Sequence, residues 1–239
     1  MSPNNTSVLL IYTGGTIGMI ENAETGALES FNFEHLQKHV PELQNFTFRI
    51  DTYQFDPPMD SSDMDPDAWR KLVRIISDNY NQYTGFVILH GTDTMAYTAA
   101  ALSYLIQGAA KPIILTGAQK PISFDSTDSK VNLTDAFLCA CSDTLHGVMI
   151  VFNGKVIQGT RACKTRSKSY EAFSSINYPY LAVLQDGCIL QYIENACRPE
   201  PVFYDRLDDR VALLKLIPGT SRELLDYMLG HCRALIIES

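Results

Sequence analysis

The sequence predicts an α/β protein built on a mainly parallel sheet flanked by helices, followed by the start of a smaller α/β domain. Three observations carry that expectation. Short apolar runs such as SVLLIY, GFVIL and KPIILT alternate with longer segments of helical periodicity, the signature of strands joined by helical crossovers. Turns rich in glycine, hydroxyl and acidic residues follow the expected strands, reading TGGT, DSSD, HGTDT and TGAQ. In a parallel sheet such turns gather beyond the carboxyl ends of the strands, where α/β proteins bind ligands.

Val8 to Tyr12 reads as a buried strand, and Gly14, Gly15 and Gly18 free the backbone after it. A dinucleotide fingerprint would need glycine where Thr13 stands, and a P-loop would need a lysine. The loop therefore favours close approach of something other than a nucleotide. ENAETGALESFNFEHLQKHV starts polar and turn-rich, a candidate lid, and ends in a short helix. TFRIDTYQF alternates as a strand does. Asp65 then fits a helix N-cap and Pro66 the first helical position, with Leu72, Val73 and Ile76 as the apolar face. FVILHGTDTMAYTAAALSYLIQG is strand, tight loop and helix, with Met95, Ala99, Leu102 and Ile106 at helical spacing and Gly108 closing it. KPIILTGAQKPI is again strand then loop, and VNLTDAFLCACSD is a helix. GVMIVFNGKVIQGT reads as a hairpin on Asn153-Gly154. Residues 191–209 pattern weakly around Pro199 and Pro201 and read as a linker. They separate an N-terminal domain over 1–190 from the start of a C-terminal domain over 210–239, two strands around the helix SRELLDYMLGHC, expected to be incomplete because so few elements bury no core of their own.

The 239 residues are 46% hydrophobic and 19% charged, enough apolar content for a substantial core. A net charge of −8 and a pI near 5.1 leave no basic surface of the kind phosphate backbones attract, so neither nucleic acid nor an anionic membrane is an expected partner. No apolar run approaches the ~20 residues of a membrane span, and the N-terminus lacks the basic start of a signal peptide. The six cysteines (139, 141, 163, 188, 197 and 232) are then expected to be reduced thiols of a cytoplasmic protein. Cys139 and Cys141 would face different ways on their helix and make no metal site.

Familiar nucleophile arrangements are absent. His90 precedes Gly91, but there is no Gly-x-Ser-x-Gly elbow. His35 and His39 lack a third ligand nearby and read most simply as two solvated side chains. A threonine hydroxyl can attack if a base takes its proton and backbone N–H groups receive the developing charge. Thr16 sits where that is possible, although alone it also reads as a turn residue or N-cap. Thr92 and Asp93 place a hydroxyl and a carboxylate at a strand end before a helix, where Asp93 also fits the N-cap. Such a pair needs a proton carrier, and Lys164 in GTRACKT is one of nine lysines that spacing does not separate.

Taken in order, TGGTIG, DSSDM, ILHGTDTMAYTA, TGAQ and ACKT resemble the cytoplasmic type I L-asparaginases, from about Val8 to the end of the chain. The pairing of TGGTIG with HGTDTM is the specific part. The resemblance implies an amidohydrolase that converts L-asparagine to L-aspartate and ammonia without metal or organic cofactor. It also implies a homodimer or homotetramer whose C-terminal domain is longer than the stretch after 210. By position, Thr16 would be the nucleophile that forms a β-aspartyl ester. Thr92, Asp93 and Lys164 would form a hydroxyl, carboxylate and amine relay. Asp60, Ser61 and Ser62 would hold the α-carboxylate and α-amino group, with Thr92 lining the same site and Asp93 also facing the ammonium. Ala118 would lend backbone to the pocket of the side-chain amide. One departure is in the lid, where Ala27 follows Gly26 and the tyrosine of some family members is missing.

Two other readings share these residues. A non-catalytic amino-acid sensor would keep DSSD and Asp93 yet tolerate loss of Thr16, Thr92 or Lys164, all of which are present. The asparaginase-like subunit of a tRNA-dependent amidotransferase is expected to carry a module before its TGGT strand and a surface suited to tRNA.

Overall fold

The computed structural model describes residues 6–21, 28–30, 48–124 and 127–239. Two compact units divide the chain, one ending at Tyr204 and the other running from Asp205 to Ser239.

In the first unit the strands are β1 (Ser7–Tyr12), β2 (Met19–Glu21), β3 (Leu28–Ser30), β4 (Arg49–Gln54), β5 (Gly85–Leu89), β6 (Ile106–Gln107) and β7 (Pro112–Thr116). Then follow β8 (Gly147–Phe152), β9 (Lys155–Gln158), β10 (Ala162–Lys164), β11 (Phe173–Ser175), β12 (Ala182–Gln185), β13 (Cys188–Gln191) and β14 (Val202–Phe203). Among the described residues three α-helices accompany them: α1 (Pro66–Asn79), α2 (Met95–Leu105) and α3 (Ser129–Ala140). The main sheet runs β4-β1-β5-β7-β8-β9-β12-β13. Neighbours from β4 to β8 are parallel, and β9, β12 and β13 each pair antiparallel with the strand before. The expected mainly parallel α/β sheet is what forms.

Every residue of β1, β5 and β7 is buried, which explains why they read as unbroken apolar runs: parallel strands are covered on both faces. Val8, Leu10 and Tyr12 share one core cluster with Val87, Leu89 and Ile114 and with Leu133, Ala136 and Phe137 of α3. Asp65 caps α1 by accepting the Ala68 N–H at 2.8 Å, and Leu72, Val73, Ile75 and Ile76 form its buried face. The hairpin between β8 and β9 turns on Asn153 (φ 50°) and Gly154 (φ 69°), the left-handed pair that suits strand twist. A second such turn, Asp186-Gly187, joins β12 to β13.

Two boundaries differ from the sequence reading. Helix α2 stops at Leu105, and Ile106 instead enters β6, which pairs with β14. That pairing, with Tyr204 N–H donating to Leu105 O at 2.8 Å and Arg198 N–H to Gly108 O at 2.9 Å, draws residues 191–204 into the first unit. The division thus falls after Tyr204 rather than across a linker at 191–209. The flanks of the expected lid form β2 and β3, an antiparallel pair. Its middle, with Gly26 and Ala27, and the segment with His35 and His39 lie outside the described residues.

The second unit is β15 (Val211–Lys215), α4 (Arg222–His231) and β16 (Ala234–Glu238), with the two strands parallel. All six cysteines are free thiols. Among the described residues no helix is long and apolar enough to cross a membrane.

Candidate active site

Strand register assembles the loops. Tyr12 is level with Gln54 on one side and Leu89 on the other, and Leu89 is level with Thr116. Four neighbouring parallel strands therefore end in one line, and the loops carrying TGGT, DSSD, HGTDT and TGAQ leave the sheet side by side. From β1 the chain moves outward to β4, then returns to β5 on the other flank of β1. The carboxyl ends of β1 and β5 thus flank a topological switch point, the usual ligand crevice of an open α/β sheet.

Thr13 and Thr16 serve different purposes. Thr13 is buried; its N–H and its Oγ1 both donate to Leu89 O, at 3.0 and 2.9 Å, while its own carbonyl accepts the Met59 N–H at 2.7 Å. It ties three loops together. Gly14 and Gly15 follow with φ of 142° and 92°. A Cβ on Gly14 would lie 1.9 Å from Met59 O, and one on Gly15 would lie 2.5 Å from Gly91 N. The glycines let the loops pack backbone against backbone. Thr16 and Thr92 each stand one residue beyond that Gly15–Gly91 contact. Thr16 is half-buried and opens a short 3-10 turn, Thr16–Gly18. The hydroxyl of Tyr12 lies against this turn from below, 3.4 Å from Gly15 O and 3.3 Å from Gly18 O, and burial pushes its pKa up to about 12.

In the loop after β4, Asp60 Oδ1 accepts the Ser62 N–H at 2.8 Å and the Ser62 Oγ–H at 2.9 Å. These bonds, the backbone one foremost, hold the Asp60 carboxyl below its usual range. Asp60 and Ser62 are exposed, whereas Ser61 is buried. Its carbonyl accepts from Thr94 Oγ1 at 2.6 Å, and its hydroxyl lies where a Cβ on Gly91 would be, 2.5 Å away.

Thr92 and Asp93 meet Lys164, which β10 brings back over a separation of more than seventy residues. Lys164 Nζ lies 2.8 Å from Thr92 Oγ1 and 2.6 Å from Asp93 Oδ1. A protonated amine donates to both, leaving the Thr92 O–H free to point elsewhere. Asp93 does not cap α2; that position belongs to Thr94, without a side-chain cap bond. Because the Asp93 side chain is 71% exposed, the pair adds little stability.

Ala118 is buried, and two residues that carry no signal of their own in the sequence reading fix its surroundings. Asp128 accepts the Gln119 N–H at 3.1 and 3.0 Å and the Lys120 N–H at 3.2 Å. Asn132 Nδ2 donates to Gly117 O at 2.9 Å, and its Oδ1 accepts the Asn153 N–H at 2.9 Å. Asp128 makes no cap bond to the helix it precedes, and its carboxylate serves the loop and the Asn132 side chain, whose Nδ2 lies 3.3 Å away. The pattern that could have found them is DSKVN, an Asp and an Asn four apart at a helix start, just after TGAQ.

His90 is fully buried and neutral, its pKa pushed down to about 4 mainly by burial, against the opposing bond to Gly91 O. Unfolded, it would titrate near 6.5. The unfolded chain therefore binds the extra proton first as the pH falls. Full stability holds above about pH 6.5, and on the order of 3 kcal/mol is lost by about pH 4. Urea melts across this range should show that His90→Asn removes this part of the slope; identical slopes would contradict it. Among the described residues no three His, Cys, Asp or Glu side chains form a metal-ligating group.

A family model described as Asparaginase, N-terminal, matches residues 7–196. The chain is 34% identical to L-asparaginase 1 of Escherichia coli K12 over 246 residues, covering 98% of this chain and 70% of that protein. It is also 34% identical to a glutamyl-tRNA(Gln) amidotransferase subunit of Thermococcus kodakarensis, over 97% of this chain and 55% of that one. Among solved structures, the thermostable L-asparaginase of Thermococcus kodakarensis superposes with a TM-score of 0.91 at 31% identity, covering 98% of this chain and 71% of that one. With its four level loops and the motifs they carry, the chain belongs to the asparaginase family.

Proposed function

We propose that this protein hydrolyses the side-chain amide of L-asparagine, giving L-aspartate and ammonia, through an ester on Thr16. The observation that carries the reading is the Thr92–Lys164–Asp93 group, one residue beyond the backbone contact that brings the Thr16 loop alongside. Thr16 Oγ attacks the amide carbon, and its proton passes to a basic group of the site. Backbone N–H groups at the loop turns receive the oxyanion. The C–N bond breaks as the nitrogen takes up a proton, ammonia leaves, and water then cleaves the ester to restore the Thr16 hydroxyl. Thr92, Lys164 and Asp93 carry the proton between these steps. Asp60 and Ser62, exposed at the loop tip, and Asp93 hold the α-amino and α-carboxylate groups, and the Ala118 backbone lines the amide pocket. The working form is a cytoplasmic homo-oligomer.

Ammonia release from L-asparagine tests the reading, and a silent protein that still binds the amino acid would favour a sensor. The equal identity of the amidotransferase relative keeps a second reading in view; ammonia delivery only in the presence of a tRNA-charging partner would favour it. Asp93→Asn should act mainly on binding. The loss of one charge beside an ammonium is expected to raise KM by about tenfold or more, measured by steady-state kinetics. An unchanged KM would remove Asp93 from the ammonium site.

A further inference from the structure

His90 lies beneath the loop that carries Thr92, with both ring nitrogens engaged. Nδ1 is 2.7 Å from Gly91 O, and Nε2 is 2.8 Å from Thr98 Oγ1. A carbonyl oxygen only accepts, so Nδ1 carries the ring proton. Nε2 of the neutral ring is then an acceptor and takes the Thr98 hydroxyl proton. Thr98 Oγ1 in turn accepts the indole N–H of Trp69 at 3.0 Å, since an indole only donates. One ordered chain of donors therefore runs from Trp69 on α1, through Thr98 on α2, to the Gly91 carbonyl. His90 and Thr98 are completely buried, so each bond in the chain would be costly to leave unmade.

Gly91 is confined on its other sides as well. A side chain there would meet Ser61 Oγ at 2.5 Å, and the Thr16 loop comes so near that a Cβ on Gly15 would lie 2.5 Å from Gly91 N. The peptide that joins Gly91 to Thr92 is planar, so fixing the Gly91 carbonyl fixes the direction of the Thr92 N–H and the path into Thr92. We propose that His90 is a positioning residue: by donating from Nδ1 to the Gly91 carbonyl, it sets Thr92 at its 2.8 Å distance from Lys164. This rests on the proposed role of Thr92 in proton transfer.

Two substitutions separate this from packing. The amide nitrogen of asparagine reaches the place of Nδ1, whereas glutamine reaches that of Nε2. His90→Asn therefore keeps the donor to Gly91 O, and His90→Gln keeps only the link to Thr98. The Gln variant is expected to lose about 10²-fold in kcat with little change in KM, the scale of a misplaced reacting group. The Asn variant should restore kcat to within about fivefold of the parent. Equal losses in both variants, following their melting temperatures, would overturn the proposal. Two readouts do not depend on turnover. Nitrogen NMR of the imidazole should show the proton on Nδ1, and a proton on Nε2 would overturn the proposal. The Thr92 amide resonance should move far more in the Gln variant than in the Asn variant; the reverse order would overturn it too. If the parent itself released no ammonia, the proposed function would fail, while these two spectra would still decide the role of His90.

Discussion

Replacing Thr16 by alanine is expected to lower ammonia release from L-asparagine by at least about 10³-fold, because no other group replaces a lost nucleophile. The backbone around it does not depend on the hydroxyl. The turn it opens is closed by the Gly18 N–H to Gly15 O at 3.2 Å and abutted by the Tyr12 hydroxyl. The binding groups proposed at Asp60, Ser62 and Asp93 belong to other loops. Alanine should therefore leave the affinity for L-aspartate within about threefold of the parent, measured by calorimetry on the same preparation. Near-normal turnover in this variant would remove Thr16 from the chemistry. Loss of binding together with turnover would mean that the loop had collapsed.

Lys164→Met should be the next most damaging change, with kcat reduced by about 10² to 10⁴-fold, the range for a displaced proton carrier. Methionine keeps an apolar stem along the same path and removes only the charged, donating end. The ion pair it breaks is largely open to water on the Asp93 side, so the melting temperature should change little. Steady-state kinetics beside a thermal melt checks both halves. A mild rate effect would place the proton carrier elsewhere, and a large drop in melting temperature would give Lys164 a structural task instead.

Much of this site is legible in the sequence because its parts are local. A buried strand that ends in TGGT or HGTDT announces both the sheet and the loop, and Asp65-Pro66 announces the helix that follows. The rest depends on register between distant segments. Thr13 and Thr16 look alike in the sequence; only the level ends of β1 and β5 show that Thr13 is spent on the Leu89 carbonyl. Spacing does not single out Lys164 among the lysines, since β10 reaches Thr92 only after the chain has crossed the sheet and turned back. Asp93 reads as an N-cap by local chemistry, yet the helix starts one residue later, with Thr94 at the cap, and the Asp93 carboxylate pairs with a cation from far along the chain. Ile106 fits the helical repeat, but a strand nearly a hundred residues further on claims it. His90 opens the HGTDT loop, but nothing local gives it a task; the role proposed for it comes from what two helices place around it.

The glycines of the first loop read as a device for close approach, and the structure identifies what approaches. Gly14 and Gly15 admit the neighbouring loops themselves, so the hydroxyls proposed to react are carried on backbone that is clamped before any substrate arrives. That arrangement suits catalysis by preorganisation, in which little motion is left to spend at the moment of reaction.

The most direct test is to quench the enzyme in acid during turnover of L-asparagine and map the covalent product by mass spectrometry. An aspartyl ester on Thr16, absent from the Thr16→Ala variant, is the expected result. An ester on Thr92, or ammonia release with no ester at either threonine, would contradict the assignment of Thr16 as the nucleophile.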